Sequence, residues 1–320
     1  GSSDNSVYGE VFSKEHRIVD EINSKSTENY GVLKILPINK GLPDFTKHPE
    51  YDSKTELLER LCQISSKGAI AGWNLKSDGR VLETNAPNAG GLTLEAELGI
   101  PENPDNRPDF KGWEVKSTSV KSSEISMISG QPDGGLIIDD FERFMIVYTD
   151  EIDKGKYKER YYTGRLRVGD ELKKGRQLIH ERKLGFLRVV DENDHVLAQW
   201  SHEYLLNYWK KKHENGVHIG VKRQDQVTES GKRALFTYYP DVEVGSGSTF
   251  GLFLNQIDNG NISYDPACWI RQYPNSGKPK KKQRNNLRIR KKAYRNLYHN
   301  FELVNTCSGE IMDSSNCVGI

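Results

Sequence analysis

The sequence predicts an α/β or α+β fold with a mixed central sheet. Residues 54–65 repeat apolar side chains at helical spacing, whereas the segment that begins at Trp113 alternates apolar and polar residues as a strand does. No internal repeat of the solenoid or propeller kind is present. A chain of 320 residues can bury a sizeable core, in one large domain or in two lobes.

The helical patterns come first along the chain. In residues 54–65, Leu57, Leu61 and Ile64 predict an amphipathic helix that packs on a core. A Gly- and Asn-rich stretch at 76–91 predicts a loop, and TLEAELGI at 93–100 predicts a short helix. Two more helices are predicted at Asp139–Phe144 and His202–Lys212.

The strand patterns begin with Trp113–Ser117, whose side chains alternate between a buried and a polar face. Runs rich in β-branched and aromatic residues predict the other strands. They are Glu124–Ser129, Gly185–Val190, Val217–Lys222, Ala234–Tyr239 and Phe250–Gln256.

Composition excludes several classes of protein. Hydrophobic residues make up 35% of the chain and charged residues 28%, and no apolar run reaches the roughly 18 residues of a membrane span. The N-terminus lacks the basic and apolar regions of a signal peptide, so we expect a cytoplasmic protein with no membrane partner. The four cysteines form no CxxC pair and are expected to be buried or tail thiols. Gly245–Thr249 lacks the phosphate-loop spacing, which argues against a nucleotide cofactor.

Residues 108–116, PDFKGWEVK, carry the strongest chemical signal. Glu114 and Lys116 are two apart on a predicted strand and therefore share a face, and a turn at Gly112 can fold Asp109 back beside Glu114. Mg²⁺ prefers one or two carboxylates with water and phosphate oxygens. We therefore predict that Asp109 and Glu114 hold Mg²⁺, that the Val115 carbonyl is a possible further ligand, and that Lys116 orients the attacking water or contacts the scissile phosphate.

The wider context resembles the catalytic region of the MvaI/BcnI group of type II restriction endonucleases, which are related to the nicking enzyme MutH within the PD-(D/E)XK superfamily. The resemblance rests on GGLTLEAELGI at 90–100, Asn103, and PDFxGWEVKS at 108–117. Weaker counterparts occur at 125–141, 205–221 and 286–292. Residues 1–55 and 225–280 do not align with confidence.

The resemblance implies a PD-(D/E)XK core in two lobes that form a DNA cleft. It also implies a sequence-specific Mg²⁺-dependent endonuclease that acts on double-stranded DNA and leaves 5′-phosphate and 3′-hydroxyl ends. Asp109, Glu114 and Lys116 match the family's catalytic motif, and Glu95 matches the helix carboxylate that completes the site. A monomer is expected, and a cognate DNA methyltransferase is implied in the cell.

Net charge is only +1, but residues 278–299 contain ten Lys or Arg and no acidic residue. Such a segment is typical either of a solvated tail or of a surface that contacts phosphates and guanine edges. Candidate DNA contacts are Lys222, Arg223, Lys280, Lys281, Lys282, Arg284, Arg288, Arg290 and Lys291. The histidines show no metal spacing and are expected mainly to pack.

These features predict a catalytic lobe over residues 9–224 and a DNA-recognition lobe over residues 225–320, with residues 1–8 set aside because Gly1-Ser2-Ser3 is typical of a purification-tag remnant. Two alternatives stay open. One is a MutH-like nicking or modification-dependent nuclease, and the other is a DNA-binding module without catalysis.

Overall fold

The computed structural model describes residues 28–30, 33–35, 49–102, 108–228 and 231–312, with side chains for 53–102, 108–227 and 231–312. The predicted tag remnant at residues 1–8 and Asn103 of the family motif lie outside the described residues. The α-helices are α1 Pro49–Ser66, α2 Ala89–Glu97, α3 Leu136–Asp139, α4 Phe141–Tyr148, α5 His202–Lys212 and α6 Phe250–Asp258, and a 3₁₀ helix spans Lys291–Leu297.

The strands are β1 Glu28–Tyr30, β2 Leu33–Ile35, β3 Ile70–Ala71, β4 Trp73–Leu75, β5 Val81–Glu83, β6 Trp113–Ser119, β7 Glu124–Ile128, β8 Glu151–Asp153, β9 Lys158–Thr163, β10 Leu166–Arg167, β11 Arg176–Glu181, β12 Phe186–Asp191, β13 Val196–Ser201, β14 Asn215–Thr228, β15 Gly231–Ser246, β16 Ile262–Gln272, β17 Lys280–Lys282, β18 Asn285–Arg290, β19 Asn300–Asn305 and β20 Ile311–Met312. The chain divides into two compact units, residues 1–51 and 52–320. In the first unit, β1 and β2 form an antiparallel hairpin.

One sheet of the second unit carries the motif strand. Its strand order is β20-β19-β15-β14-β6, and β6 pairs with β14 in parallel, with Val115 opposite Val217. Leu61 of α1 and Leu94 of α2 share a buried cluster with these two valines. Because side chains alternate along a strand, Glu114 and Lys116 project from the opposite face of the sheet.

A second core lies around another sheet, whose strand order is β7-β18-β16-β9-β8. Helices α4, α5 and α6 and the sheet β11-β12-β13 contribute to this core. Its largest fully buried side chains include Trp200, Trp209, Phe144, Phe253 and Tyr264. Burial of such large aromatic side chains is a main source of folding free energy.

The predicted mixed α and β fold class is confirmed, and the predicted helix His202–Lys212 has the bounds of α5. The strand predicted at Phe250–Gln256 is wrong, because this segment is α6. Thr249 caps the helix by accepting a hydrogen bond from the Leu252 N–H at 3.3 Å, and Phe253, Leu254 and Ile257 are buried along one helical face. A short apolar run is ambiguous by periodicity, and here the N-cap decides.

The predicted lobe boundary after residue 224 falls inside β14. Both cores also draw residues from either side of it. The first core joins Val115 to Val242, and the second joins Phe144 to Leu287. None of the helices in the described residues is long and apolar enough to cross a membrane.

Two of the four cysteines form a disulfide. Cys62 on α1 is bonded to Cys307, which follows β19, and the two are 245 residues apart in sequence. Cys268 is a buried free thiol, as expected. The expectation of a thiol is therefore wrong for Cys62 and Cys307, because the spacing between cysteines in sequence does not reveal which of them meet in the fold.

Candidate active site

A tight turn places Asp109 beside the motif strand. Phe110 and Trp113 exchange two backbone hydrogen bonds, of 2.9 and 2.8 Å, across Lys111 and Gly112. Both turn residues have positive φ, 42° and 93°, which a type I′ turn requires and which glycine adopts without strain. Asp109 Oδ2 then accepts a hydrogen bond from the backbone N–H of Val115 at 3.0 Å. The turn therefore holds the Asp109 carboxylate at the level of Glu114.

Glu114 is the most deeply buried carboxylate of the cluster, with 1% of its surface exposed. Burial raises its pKa, and the Lys116 ammonium, which bonds to Glu114 Oε1, opposes that rise. Val115 and Trp113, the neighbours of Glu114, face the core on the other side of the strand. A buried carboxylate that keeps its charge here needs a cation, and Lys116 supplies one.

A second lysine completes the cluster. Lys212 Nζ lies 3.5 Å from Asp109 Oδ1 and 3.3 Å from Glu114 Oε2. Burial lowers the pKa of Lys212, but Glu114 and Asp109 outweigh that effect and raise it above its ordinary value. Two lysines and two carboxylates thus meet at one point.

Lys212 is a functional candidate that the sequence did not single out. It is the last residue of α5, where it follows Lys210 and Lys211 in what looks like a solvated basic run. Only the parallel pairing of β14 with β6 brings the end of α5 to Asp109. A sequence signal for Lys212 is its position at the end of a helix that leads directly into a buried strand, because such a strand can pair in parallel with the motif strand.

Glu95 faces the same cluster from α2. Burial, together with the nearby charge of Asp109, raises its pKa to about 7, while Lys212 and Lys116 lower it. Its neighbour Glu97 instead accepts a 2.8 Å hydrogen bond from Trp73 Nε1 and pairs with Lys67. Glu95 is therefore poised between its charged and neutral forms, whereas Glu97 anchors packing.

The donor set fits a hard divalent cation. Glu114 Oε2 is buried and Asp109 Oδ1 lies beside it, and the contact that each of these oxygens makes with a cation is an ion pair with Lys212, at 3.3 and 3.5 Å. No group of three or more His, Cys, Asp or Glu side chains in the described part of the chain is arranged to hold a metal ion. Magnesium does not need such a group, because two carboxylates with water and phosphate oxygens suffice.

A cavity of about 750 Å³ lies between β14, β15 and the start of the 3₁₀ helix. His218 lines it and is paired across β6–β14 with Lys116. The His218 ring bonds through Nδ1 to Glu243 Oε2 at 2.6 Å. Arg290 and Lys291, two of the predicted DNA contacts, line the same cavity.

The other predicted DNA contacts fall into three groups. Arg288 pairs with Asp265 at 2.9 Å and approaches the buried Glu124, and Arg223 bonds the carbonyls of Asn85 and Ala86. Lys222 is exposed on β14. Exposed basic side chains also lie on and just after β17, namely Lys280, Lys281, Lys282 and Arg284. Arg288 and Arg223 thus already have protein partners.

Comparison with known proteins identifies a family and a similar fold. A model of the MvaI/BcnI restriction endonuclease family matches residues 58–298. A solved structure described as "Restriction endonuclease MvaI-cognate DNA substrate complex" aligns with a TM-score of 0.55 at 15% identity, over 82% of this chain and 99% of that one. A second structure, "Restriction endonuclease MvaI in the absence of DNA", aligns with a TM-score of 0.36 at 14% identity, over the same shares. A search of curated proteins finds no match.

Proposed function

The chain belongs to the MvaI/BcnI restriction endonuclease family, a family of type II site-specific deoxyribonucleases, and from this premise we propose that it cleaves double-stranded DNA with Mg²⁺ at the Asp109–Glu114 site. The observation that carries the proposal is the meeting of these two carboxylates with Lys116 and Lys212. A module that only binds DNA has no use for buried carboxylates in a surface that faces phosphates.

In this proposal Asp109 and Glu114 hold the cation, and the Val115 carbonyl is a further candidate ligand. Mg²⁺, when bound, supplies positive charge that offsets the negative charge developing on the phosphoryl oxygens. Lys116 orients the attacking water toward phosphorus or contacts the scissile phosphate. Hydrolysis breaks the bond from phosphorus to the 3′ oxygen and leaves a 5′-phosphate and a 3′-hydroxyl.

Lys212 and Glu95 tune the site. The Lys212 ammonium offsets the charge of Asp109 and Glu114 before a cation binds, so the free enzyme tolerates two adjacent carboxylates. Glu95, whose pKa is about 7, takes up or releases a proton as the charge of the cluster changes. Together they adjust the charge of the site without large movement.

The duplex is proposed to lie against the cavity that is lined by His218, the cross-strand partner of Lys116. Arg290 and Lys291 line it and supply positive charge for phosphates, and Lys222 extends that charge along β14. We further propose that the enzyme acts as a monomer in the cytoplasm, with a cognate methyltransferase that protects the host sequence.

The test is cleavage of unmethylated phage-type DNA with Mg²⁺, beside the same reaction in EDTA and beside a Lys116→Ala protein. We expect discrete fragments from the wild type alone, whose ends reveal the target sequence and the cut position. The Lys116→Ala protein should still shift a DNA fragment in a binding assay, because the proposed phosphate contacts of Arg290, Lys291 and Lys222 are intact.

Methylated DNA is included in the same experiment. Cuts in a single strand, or only in methylated DNA, would replace the restriction proposal with the nicking or modification-dependent alternative. If the wild type binds DNA and leaves every substrate intact, the nuclease proposal fails and a binding module takes its place.

A further inference from the structure

An aromatic and basic surface lies on the second sheet and shares no residue with the candidate active site. Trp269 on β16 is paired with Tyr161 on β9 and with Lys282 on β17. Cross-strand partners project from the same face, so these three side chains form one row. The alternate residues Cys268 and Ile270 pack into the core, which places the row on the outer face.

The next row holds a cation over aromatic rings. Arg271 Cζ lies 4.2 Å from the centre of the Trp269 ring and 4.8 Å from that of the Tyr157 ring. Glu159 Oε1 accepts a 2.7 Å bond from Arg271 Nε and fixes the guanidinium. Lys280 Nζ, its cross-strand neighbour, lies 5.2 Å from the centre of the Tyr273 ring. Arg271 is thus held by a carboxylate and two rings, and Lys280 lies over a third ring.

Positive charge dominates this face. Four cationic side chains, Arg271, Lys280, Lys282 and Arg284, stand against the single carboxylate of Glu159, which is paired. Glu159, Tyr161, Trp269, Lys282 and Arg284 are among the residues that line a shallow cavity of about 280 Å³. The Tyr161 side chain is 44% exposed. Each nucleotide of an unpaired strand offers a flat base and one negative charge, which matches a ring flanked by cations.

We propose that this face, formed by Tyr161, Trp269, Arg271, Lys280, Lys282 and Arg284, binds unpaired DNA by stacking bases on the rings and pairing phosphates with the cations. In a duplex the faces of the bases are covered by neighbouring bases, so they are not free to stack on the rings of the protein. The face therefore fits a single strand better than the duplex substrate of the proposed cleavage reaction. The inference goes beyond that reaction and does not depend on it.

The experiment titrates the full-length wild type, in EDTA, with a short oligothymidylate and with an abasic strand of the same length. Trp113, Trp200 and Trp209 are buried, whereas Trp73 and Trp269 are half-buried, so the part of the quenching that Trp269→Phe removes is the part that reports on Trp269. We expect the oligothymidylate to bind at least about 10-fold more tightly than the abasic strand and to quench this fluorescence. A Trp269→Phe protein should bind with little quenching.

Variants separate stacking from charge. Tyr161→Ala should weaken oligothymidylate binding about 10-fold or more and leave abasic binding unchanged, because only the ring is lost. Lys282→Ala should weaken both, whereas Lys183→Ala, at an exposed position in the turn between β11 and β12, should weaken neither. Retained cleavage of duplex DNA by Tyr161→Ala would show that the variant is folded and that the two sites are separate.

Two results would overturn the inference. One is equal affinity for the oligothymidylate and the abasic strand, which would mean that the face binds phosphates alone. The other is displacement of the oligothymidylate by an equal concentration of polyglutamate, which would assign the face to acidic protein segments. Neither result bears on duplex cleavage, which is measured separately with Mg²⁺.

Discussion

Replacing Lys212 with Met removes the ammonium that faces Asp109 and Glu114 while keeping most of the side-chain volume. The wild-type ammonium lies 3.5 Å from one carboxylate and 3.3 Å from the other. In the variant, Lys116 is the remaining cation beside a carboxylate that is 1% exposed. We expect the free enzyme to lose stability because these carboxylates then repel each other.

The magnitude follows from these distances. Opposite charges about 4 Å apart attract by about 4 kcal/mol at an effective dielectric constant of about 20. Desolvation of the ammonium cancels part of this, and removing one partner of a buried ion pair typically costs roughly 3–5 kcal/mol. Because Lys116 still neutralises part of the charge, we expect a loss of about 3 kcal/mol, at the lower end of that range.

The assay is urea unfolding followed by tryptophan fluorescence at pH 8, in EDTA and again with Mg²⁺. Lys211→Met is the matched control, because Lys211 is the exposed residue that precedes Lys212 in the same helical turn. Mg²⁺ should restore more stability to Lys212→Met than to the wild type, since the cation replaces the missing charge. A loss below about 1 kcal/mol, the range of a surface ion pair, would refute the reasoning.

Three further predictions concern packing, the disulfide and pH. Gly216→Ala should destabilise the fold by roughly 1–3 kcal/mol in urea unfolding, because a Cβ there would lie 2.3 Å from the buried Tyr298 hydroxyl. Reduction of Cys62–Cys307 should lower the free energy of unfolding by about 2–4 kcal/mol and with it the melting temperature. In EDTA, wild-type stability in urea unfolding should fall as pH rises from about 4.5 to about 7 and level off above that, because burial raises the pKa of Glu95 and ionisation is then costly, whereas Glu95→Gln should show a shallower fall.

Each of these predictions has a control in the same chain. Gly251→Ala, in α6, meets nothing closer than 3.8 Å and should not destabilise the fold. A Cys62→Ser, Cys307→Ser double variant should show no response to reductant. If Glu95→Gln keeps the full wild-type fall in stability with pH, another group is responsible for it.

Much of the active site can be predicted from the sequence because its residues are close together in the chain. The turn at Gly112 and the alternation of Trp113, Glu114 and Val115 follow from residues that are neighbours in the chain. The position of Lys212 cannot be predicted in this way, because it depends on which strand pairs with β6, and that strand is distant in sequence. The strand prediction for the α6 segment is wrong for a different reason. Its apolar run suits a strand as well as a helix, and the Thr249 cap that decides between them is a single side chain.

The origin of the site in two separate cores has a consequence for synthesis. Glu114 and Asp109 lie on the first core, which is completed only by Val304, and Lys212 ends a helix of the second, which is completed only by Leu297 and Tyr298. A nascent chain on the ribosome therefore exposes its carboxylates long before it can place the lysine beside them. Chains that end before both cores are complete carry an incomplete site. The site is therefore assembled in one step, late in translation.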